Sequence, residues 1–262
     1  MSDYNNLTLE EHNGIATITL NRPDAANALN VELARELMQA AIAVSESSSV
    51  RAVVLTGNGK LFCAGGDIQA FAEAGDQVGS VIKEITAYLH AAISRLTRMN
   101  APVIVAVNGA AAGAGFSLAL IGDIVLAAES AKFTMAYTGI GASPDGSSSY
   151  FLPRLIGLRR TQELMLTNRR LTAAEAADWG MVTRAVADDE LMAEANKLAG
   201  QLAAGPRLSH GVVKKLLAST FNESLETQME LESQGIAAVM NTADGREGIE
   251  AFKAKRKPEF KL

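Results

Sequence analysis

Two turns built only from glycine and alanine carry the clearest chemical signal in the sequence. Ala64-Gly65-Gly66 and Gly113-Ala114-Gly115 each follow an apolar stretch and precede a stretch of helical character. Residues this small let a ligand or another backbone approach the main chain closely. If the two turns face each other, one N–H from each could bind a single oxygen atom. That arrangement is an oxyanion hole, suited to an enolate or tetrahedral intermediate made from a thioester or ester. Close packing between elements is the alternative explanation of the same residues.

The second turn also shares features with a dinucleotide-binding unit. Glu129 lies twenty positions after Gly109, beyond a strand, a glycine-containing turn and a short helix. However, the glycines are spaced G-x-x-x-G-x-G, whereas the dinucleotide motif has G-x-G-x-x-G. We therefore favour the oxyanion hole over a nicotinamide site.

Asp145 is the carboxylate with the strongest indication of a chemical role. It lies in Ser-Pro-Asp-Gly, where small neighbours leave room for a bound molecule. Stabilisation of a helix dipole from the first turn would explain the same residue without chemistry. Tyr137 and His90 likewise have ordinary packing or solvated roles as alternatives. Covalent catalysis is disfavoured, because no G-x-S-x-G motif occurs and Cys63 has no His or Asn nearby in sequence.

Alternating strands and helices must position these residues. Apolar patterning predicts strands at 15–20, 51–56, 103–107, 124–128, 132–135 and 182–186. It predicts helices at 27–43, 81–99 and 159–166, a loop at 71–79, and a helix that begins at Ser143-Pro144. Capping boxes are predicted at Thr172–Glu175 and Asp244–Glu247. This pattern indicates an α/β core at 1–190 and a C-terminal helical region at 191–262, which either forms an oligomerisation surface or covers the core.

Composition limits the classes of function. The 262 residues are 48% hydrophobic and 20% charged, with a net charge of -5, so no excess of cations favours nucleic acid. One cysteine and three scattered histidines argue against a disulfide framework and a structural zinc site. No apolar run reaches the roughly 18 residues that span a bilayer. We predict a cytoplasmic protein without a metal ion, a membrane span or a nucleic-acid partner.

Six segments together resemble the crotonase (enoyl-CoA hydratase/isomerase) superfamily over essentially the whole chain. They are NRPDAANAL (21–29), FCAGGDI (62–68), PVIVAVNGAAAGAGFSLAL (102–120), SPDGSSSYFLPRLIG (143–157), LTAAEAADWGMV (171–182) and DGREGIEAFKAKRKPEF (244–260). The resemblance implies a crotonase-like spiral of ββα units with a C-terminal helical trimerisation region. It also implies an acyl-CoA thioester substrate, no further cofactor, and a homotrimer or dimer of trimers.

The resemblance also assigns roles to individual residues. The oxyanion donors match Gly66 and Ala114, and only their backbone N–H groups matter. Contacts with coenzyme A match a set in which the last two residues usually come from a neighbouring subunit: Ala26, Ala64, Asp67, Ile68, Phe252 and Lys255. Tyr137 is also expected among the residues that bind the substrate.

Departures from the family pattern bear on the reaction. Hydratases of this kind use two glutamates to activate water, and those positions hold Ser117 and Tyr137 here. Asp145 instead matches the acid of double-bond isomerases, so the conversion of a 3-enoyl-CoA to a 2-enoyl-CoA is favoured. A hydrolytic aryl-CoA dehalogenase would use Asp145 as nucleophile and His90 as base. Hydration and a non-catalytic acyl-CoA- or RNA-binding protein also stay open.

Overall fold

The computed structural model describes residues 4–261. Within this range the chain forms ten strands: β1 (Leu7–His12), β2 (Ile15–Leu20), β3 (Ala52–Gly57), β4 (Leu61–Cys63), β5 (Val103–Val107), β6 (Ala110–Ala112), β7 (Ile124–Ala128), β8 (Lys132–Thr134), β9 (Leu171–Thr172) and β10 (Arg184–Val186). The strands form a six-stranded sheet of order β1-β2-β3-β5-β7-β10 and a four-stranded sheet of order β4-β6-β8-β9.

The same range contains eleven α-helices: α1 (Val31–Glu46), α2 (Ile68–Ala74), α3 (Val78–Arg98), α4 (Ala114–Ala119), α5 (Ser148–Ile156), α6 (Leu158–Thr167), α7 (Ala173–Asp178), α8 (Leu191–Ala203), α9 (Arg207–Ser219), α10 (Leu225–Met240) and α11 (Ala243–Ala254). Short 3-10 turns occupy Pro23–Ala25, Gly75–Gln77 and Thr138–Ile140. No helix among the described residues is both long enough and apolar enough to cross a bilayer.

The larger sheet forms the centre of the core. Strands β2, β3, β5, β7 and β10 run parallel, and β1 pairs with β2 in the opposite direction. Every residue of β3 and β5 is buried, which explains why these strands read as unbroken apolar runs. Helix α1 packs along α3, and α8 lies against β3, β5 and β7.

A repeated ββα unit links the two sheets. In β3–β4–α2 and again in β5–β6–α4, the first strand joins the larger sheet and the second joins the smaller one. Strands β7 and β8 repeat this step before the 3-10 turn at Thr138–Ile140. The predicted α/β core is confirmed. Strand β6 was not predicted, because three alanines give no strand signal and only pairing with β4 and β8 defines it.

Three local predictions are wrong. The segment 71–79 is not a loop, because Asp67 caps α2 through the Ala70 N–H and the 3-10 turn leads directly into α3. The helix predicted from Ser143-Pro144 begins only at Ser148, since Gly146 (φ +60°) and Ser147 (φ +69°) are left-handed.

The third wrong prediction is the capping box at Asp244–Glu247. The N-cap of α11 is Thr242, whose hydroxyl accepts from the Gly245 N–H. In contrast, the capping box at Thr172 and Glu175 is confirmed.

Cations fasten the C-terminal helices to the core by capping helix ends. Arg51 donates to the carbonyls of Ala203 and Gly205 at the end of α8. Lys214 on α9 donates to the carbonyls of Leu96 and Ala101, where α3 ends. Positive charge at these termini also complements the helix dipoles.

The predicted division at 190/191 stays a prediction, and α8 contributes four buried residues to the core: Leu191, Ala195, Ala199 and Ala203. Helix α10 differs, because none of its residues is buried in the single chain.

Replacement of Lys214 tests this fastening. Its Nζ also lies 2.7 Å from Asp123 Oδ2, and its side chain is almost fully buried. Lys214→Met would leave two carbonyls and a carboxylate without their cation. We expect the free energy of unfolding to fall by about 3 kcal/mol, measured by urea denaturation.

The neighbouring Lys215 is exposed and provides the matched control. Lys215→Met should change the free energy of unfolding by less than about 0.5 kcal/mol. Equal effects of the two variants would contradict the fastening role.

Candidate active site

The two glycine- and alanine-containing turns meet at one edge of the smaller sheet. They follow β4 and β6, which are parallel neighbours and therefore end on the same side. Gly65 has φ +97°, and a Cβ atom there would lie 2.8 Å from Ala112 O and 3.3 Å from Ala114 N. A Cβ atom on Gly115 would collide with the Cys63 carbonyl. The turns thus face each other, and their contact depends on glycine.

Each turn presents a free backbone N–H. Leu29 N donates to Gly65 O (2.7 Å), and Asp67 N donates to Leu29 O (3.0 Å). Because successive peptide groups of an extended segment point in opposite directions, the Gly66 N–H points away from Leu29. Ala114 is the first residue of α4, so its N–H has no acceptor within the helix. Neither N–H has an acceptor within residues 4–261, so both can donate to a ligand.

A cavity of about 390 Å³, here called the turn cavity, adjoins both N–H groups. Most of its wall is apolar and is supplied by Leu29, Ile68, Phe71, Ile82, Ile85, Leu89 and Ile140. Its polar side chains are Thr86, Tyr137, Ser143 and Asp145. A concave, mostly apolar site with a few converging polar groups is typical of a small-molecule site. The fold therefore brings together at this cavity four predicted site residues that are far apart in the sequence: Gly66, Ala114, Tyr137 and Asp145.

Asp145 is held by Tyr137 and Ser117. The Tyr137 hydroxyl donates to Asp145 Oδ1 at 2.5 Å and lies 3.1 Å from Ser117 Oγ. Burial, and after it the charge of Asp145, raises the pKa of Tyr137 above its ordinary value, so the phenol keeps its proton. Within the described residues, Asp145 Oδ2 has no hydrogen-bond partner. The carboxylate thus has one anchored oxygen and one free oxygen.

His90 lies on the other side of the Asp145 turn. Its Nε2 accepts a hydrogen bond from the Gly146 N–H at 3.3 Å. It lines a second cavity of about 780 Å³, here called the His90 cavity, together with Ile93, Lys214 and Phe221. His90 does not line the turn cavity, and its Nε2 contacts the backbone of the Asp145 turn.

The predicted coenzyme A residues divide into two groups. Ala64 and Ile68 line the turn cavity, and the Ala64 N–H donates to Ala26 O at 3.0 Å. Phe252 and Lys255 lie at the end of α11, where Phe252 is 86% exposed, and they do not reach the turn cavity of their own chain.

Asp67 has partners other than a ligand. Its carboxylate caps α2 and pairs with Arg22 at 3.0 Å, and Arg22 also donates to Ala28 O. Asp67 therefore fixes the backbone next to Gly66. Sequence reasoning missed Arg22, because only the fold brings it to Asp67.

The described residues give little support to a cysteine nucleophile or a metal site. Burial raises the pKa of Cys63 to about 12, so its thiol is a poor nucleophile. Across residues 4–261, no cluster of three or more His, Cys, Asp or Glu side chains could hold a metal ion.

Comparisons with known proteins agree with the fold. The enoyl-CoA hydratase/isomerase family model matches residues 10–262. A crystal structure of an enoyl-CoA hydratase from Polaromonas sp. JS666 superposes with a TM-score of 0.92 at 34% identity, over 97% of this chain and 99% of that one. The predicted crotonase-like α/β fold with C-terminal helices is thereby confirmed.

Two relatives have names that denote different reactions. The 1,2-epoxyphenylacetyl-CoA isomerase of Escherichia coli (strain K12) is 39% identical over 94% of this chain and 95% of its own length. The 4-chlorobenzoyl coenzyme A dehalogenase-2 of Arthrobacter sp. is 35% identical over 97% of this chain and 92% of its own length. The chain is an enzyme of the enoyl-CoA hydratase/isomerase family, within the crotonase superfamily, whose members act on acyl-CoA thioesters.

Proposed function

We propose that the protein isomerises a 3-enoyl-CoA to the conjugated 2-enoyl-CoA. The observation that carries this proposal is that Asp145 is the only carboxylate lining the turn cavity in the described part of the chain. It shares that cavity with the free N–H groups of Gly66 and Ala114. The name of the E. coli relative, 1,2-epoxyphenylacetyl-CoA isomerase, supports isomerisation of an acyl-CoA thioester, with an epoxide as that relative's own substrate.

The reaction needs one base and one oxyanion hole. The thioester oxygen accepts hydrogen bonds from the Gly66 and Ala114 N–H groups, which makes the C2–H bond more acidic. Asp145 takes the C2 proton, and the electron pair forms a dienolate whose charge rests on the thioester oxygen. The protonated Asp145 then returns the proton to C4. The double bond moves from C3–C4 to C2–C3, and no atom is gained or lost.

The anchored geometry of Asp145 suits this proton transfer. Because Tyr137 binds Oδ1, the free Oδ2 is the oxygen that would move the proton between C2 and C4. Hydration would need a second carboxylate to hold and activate water. The two positions that match the glutamates of hydratases hold Ser117 and the neutral Tyr137. The Ser117 hydroxyl donates to Asp145 O at 2.9 Å. This difference favours isomerisation over hydration.

We further propose that the substrate's coenzyme A binds at Ala26, Ala64 and Ile68, with Phe252 and Lys255 supplied by a neighbouring subunit of a homotrimer or dimer of trimers. No other cofactor takes part in the proposed reaction. The exposure of Phe252 and of apolar side chains on α10, including Leu225 and Ile236, supports an assembly that covers these helices.

Asp145→Asn tests the assignment of the base. The variant keeps the shape of the side chain and an oxygen for the Tyr137 hydroxyl, but it cannot take up the C2 proton. We expect kcat for a 3-enoyl-CoA panel, followed by the absorbance of the conjugated thioester, to fall by about 10³-fold or more. Binding of a saturated acyl-CoA, measured by calorimetry, should stay unchanged. Turnover equal to that of the wild type would refute the assignment.

Ala114→Pro tests the oxyanion hole. Ala114 is the first residue of α4, where proline is well tolerated because its N–H has no partner within the helix. The variant removes one donor, so kcat should fall by about 10²- to 10³-fold. Ala114→Gly keeps the N–H and is the matched control, with kcat close to that of the wild type. If both variants retain full activity, the N–H of residue 114 takes no part in the reaction.

Hydrolytic dehalogenation is the second candidate function. It is favoured by the Arthrobacter relative and by the Tyr137 hydroxyl, which orients Asp145 as a nucleophile would require. It is disfavoured because His90 does not line the turn cavity and its Nε2 already accepts the Gly146 N–H. We expect no chloride release from 4-chlorobenzoyl-CoA under conditions in which a 3-enoyl-CoA is isomerised. Chloride release lost in Asp145→Asn would establish the dehalogenase instead.

A further inference from the structure

We propose that His90 is a positioning residue that fixes the Asp145 carboxylate from outside the turn cavity, through the Gly146 N–H. This inference rests on the proposed function in one respect, the role of Asp145 as the acid/base group. It gives His90 a task that involves neither substrate nor proton transfer.

The Asp145 turn has a conformation that needs external support. Gly146 (φ +60°) and Ser147 (φ +69°) are two successive left-handed residues, and the second is not glycine. A Cβ atom on Gly146 would lie 2.8 Å from Ser117 Cβ, so the backbone itself packs against α4. A small rotation of this backbone would displace the Asp145 side chain.

One peptide group in this turn is held at both ends. Its carbonyl, Asp145 O, accepts from Ser117 Oγ and from Ser148 Oγ, each at 2.9 Å. Its N–H, on Gly146, donates to His90 Nε2 at 3.3 Å. The carbonyl and the N–H belong to the same planar unit. Together these bonds stop the plane from rotating and so set the direction in which the Asp145 side chain leaves the backbone.

The position of His90 suits a residue that holds the Gly146 peptide and not one that acts on the substrate. Gly146 is buried, so without His90 its N–H would be left unpaired, which favours rotation of the peptide. The imidazole accepts through Nε2, and His90 lines the His90 cavity and not the turn cavity. His90 itself is exposed at the surface of α3, so its replacement should not disturb the core.

Two variants distinguish the loss of the hydrogen-bond acceptor for the Gly146 N–H from the loss of the imidazole ring. His90→Gln keeps an acceptor that can reach the Gly146 N–H, whereas His90→Leu has a similar volume and no acceptor. We expect His90→Leu to lower kcat by about 10- to 100-fold with little change in KM, because a misplaced catalytic group slows the chemical step. His90→Gln should restore kcat to within about threefold of the wild type. Thermal denaturation checks that both variants are folded, and His90→Ala replaces the leucine variant if that one is not.

Amide hydrogen exchange of the segment 143–151 provides a readout that needs no substrate. It should be faster in His90→Leu than in the wild type, and His90→Gln should restore the slow rate. This arm decides the inference even if no 3-enoyl-CoA is isomerised. Unchanged exchange and kcat in His90→Leu would overturn the proposal. Equal loss of kcat in both variants, with exchange unchanged in both, would also overturn it and make His90 an acid/base group.

Discussion

The contact between Gly65 and the Gly113–Gly115 turn is the constraint on which the site depends. Strands β4 and β6 are short, parallel and adjacent, so the turns that follow them meet with no side chain between them. Among residues 4–261, this contact leaves the Gly66 and Ala114 N–H groups without an acceptor, beside the same cavity. A larger residue at position 65 or 115 would separate the turns, because the space for its Cβ is filled by backbone atoms. The packing of β4 against β6 therefore brings the Gly66 and Ala114 N–H groups to the same cavity.

The environment of Asp145 gives the site its chemical character. The hydroxyl groups of Ser117 and Tyr137 both donate to Asp145, the first to its carbonyl and the second to its carboxylate. The two positions that match the catalytic glutamates of a hydratase thus support Asp145, the acid/base group that we propose. A single carboxylate with one free oxygen can shuttle a proton between neighbouring carbons, whereas water addition requires two cooperating groups.

The sequence predicted those parts of the site that are recognisable from the residues next to them in the chain. The two small-residue turns and Asp145 stand out because their immediate neighbours are small, and the strands β3 and β5 that precede each turn's ββα unit in the larger sheet are largely apolar runs. The pairing of β6, the bond between Tyr137 and Asp145, and the ion pair of Arg22 with Asp67 depend on contacts between distant segments. Ser143-Pro144 misled the prediction of α5, because left-handed residues at 146 and 147 delay the helix and form the Asp145 turn instead.

A crystal structure of the protein with a bound saturated acyl-CoA tests the central claim most directly. Such a thioester has no double bond to move, so it should stay intact in the site. We expect its thioester oxygen about 3 Å from both Gly66 N and Ala114 N, with Asp145 Oδ2 facing C2 to C4 of the acyl chain. A thioester oxygen bound away from these two N–H groups, or an acyl chain seated in the His90 cavity, would contradict the account.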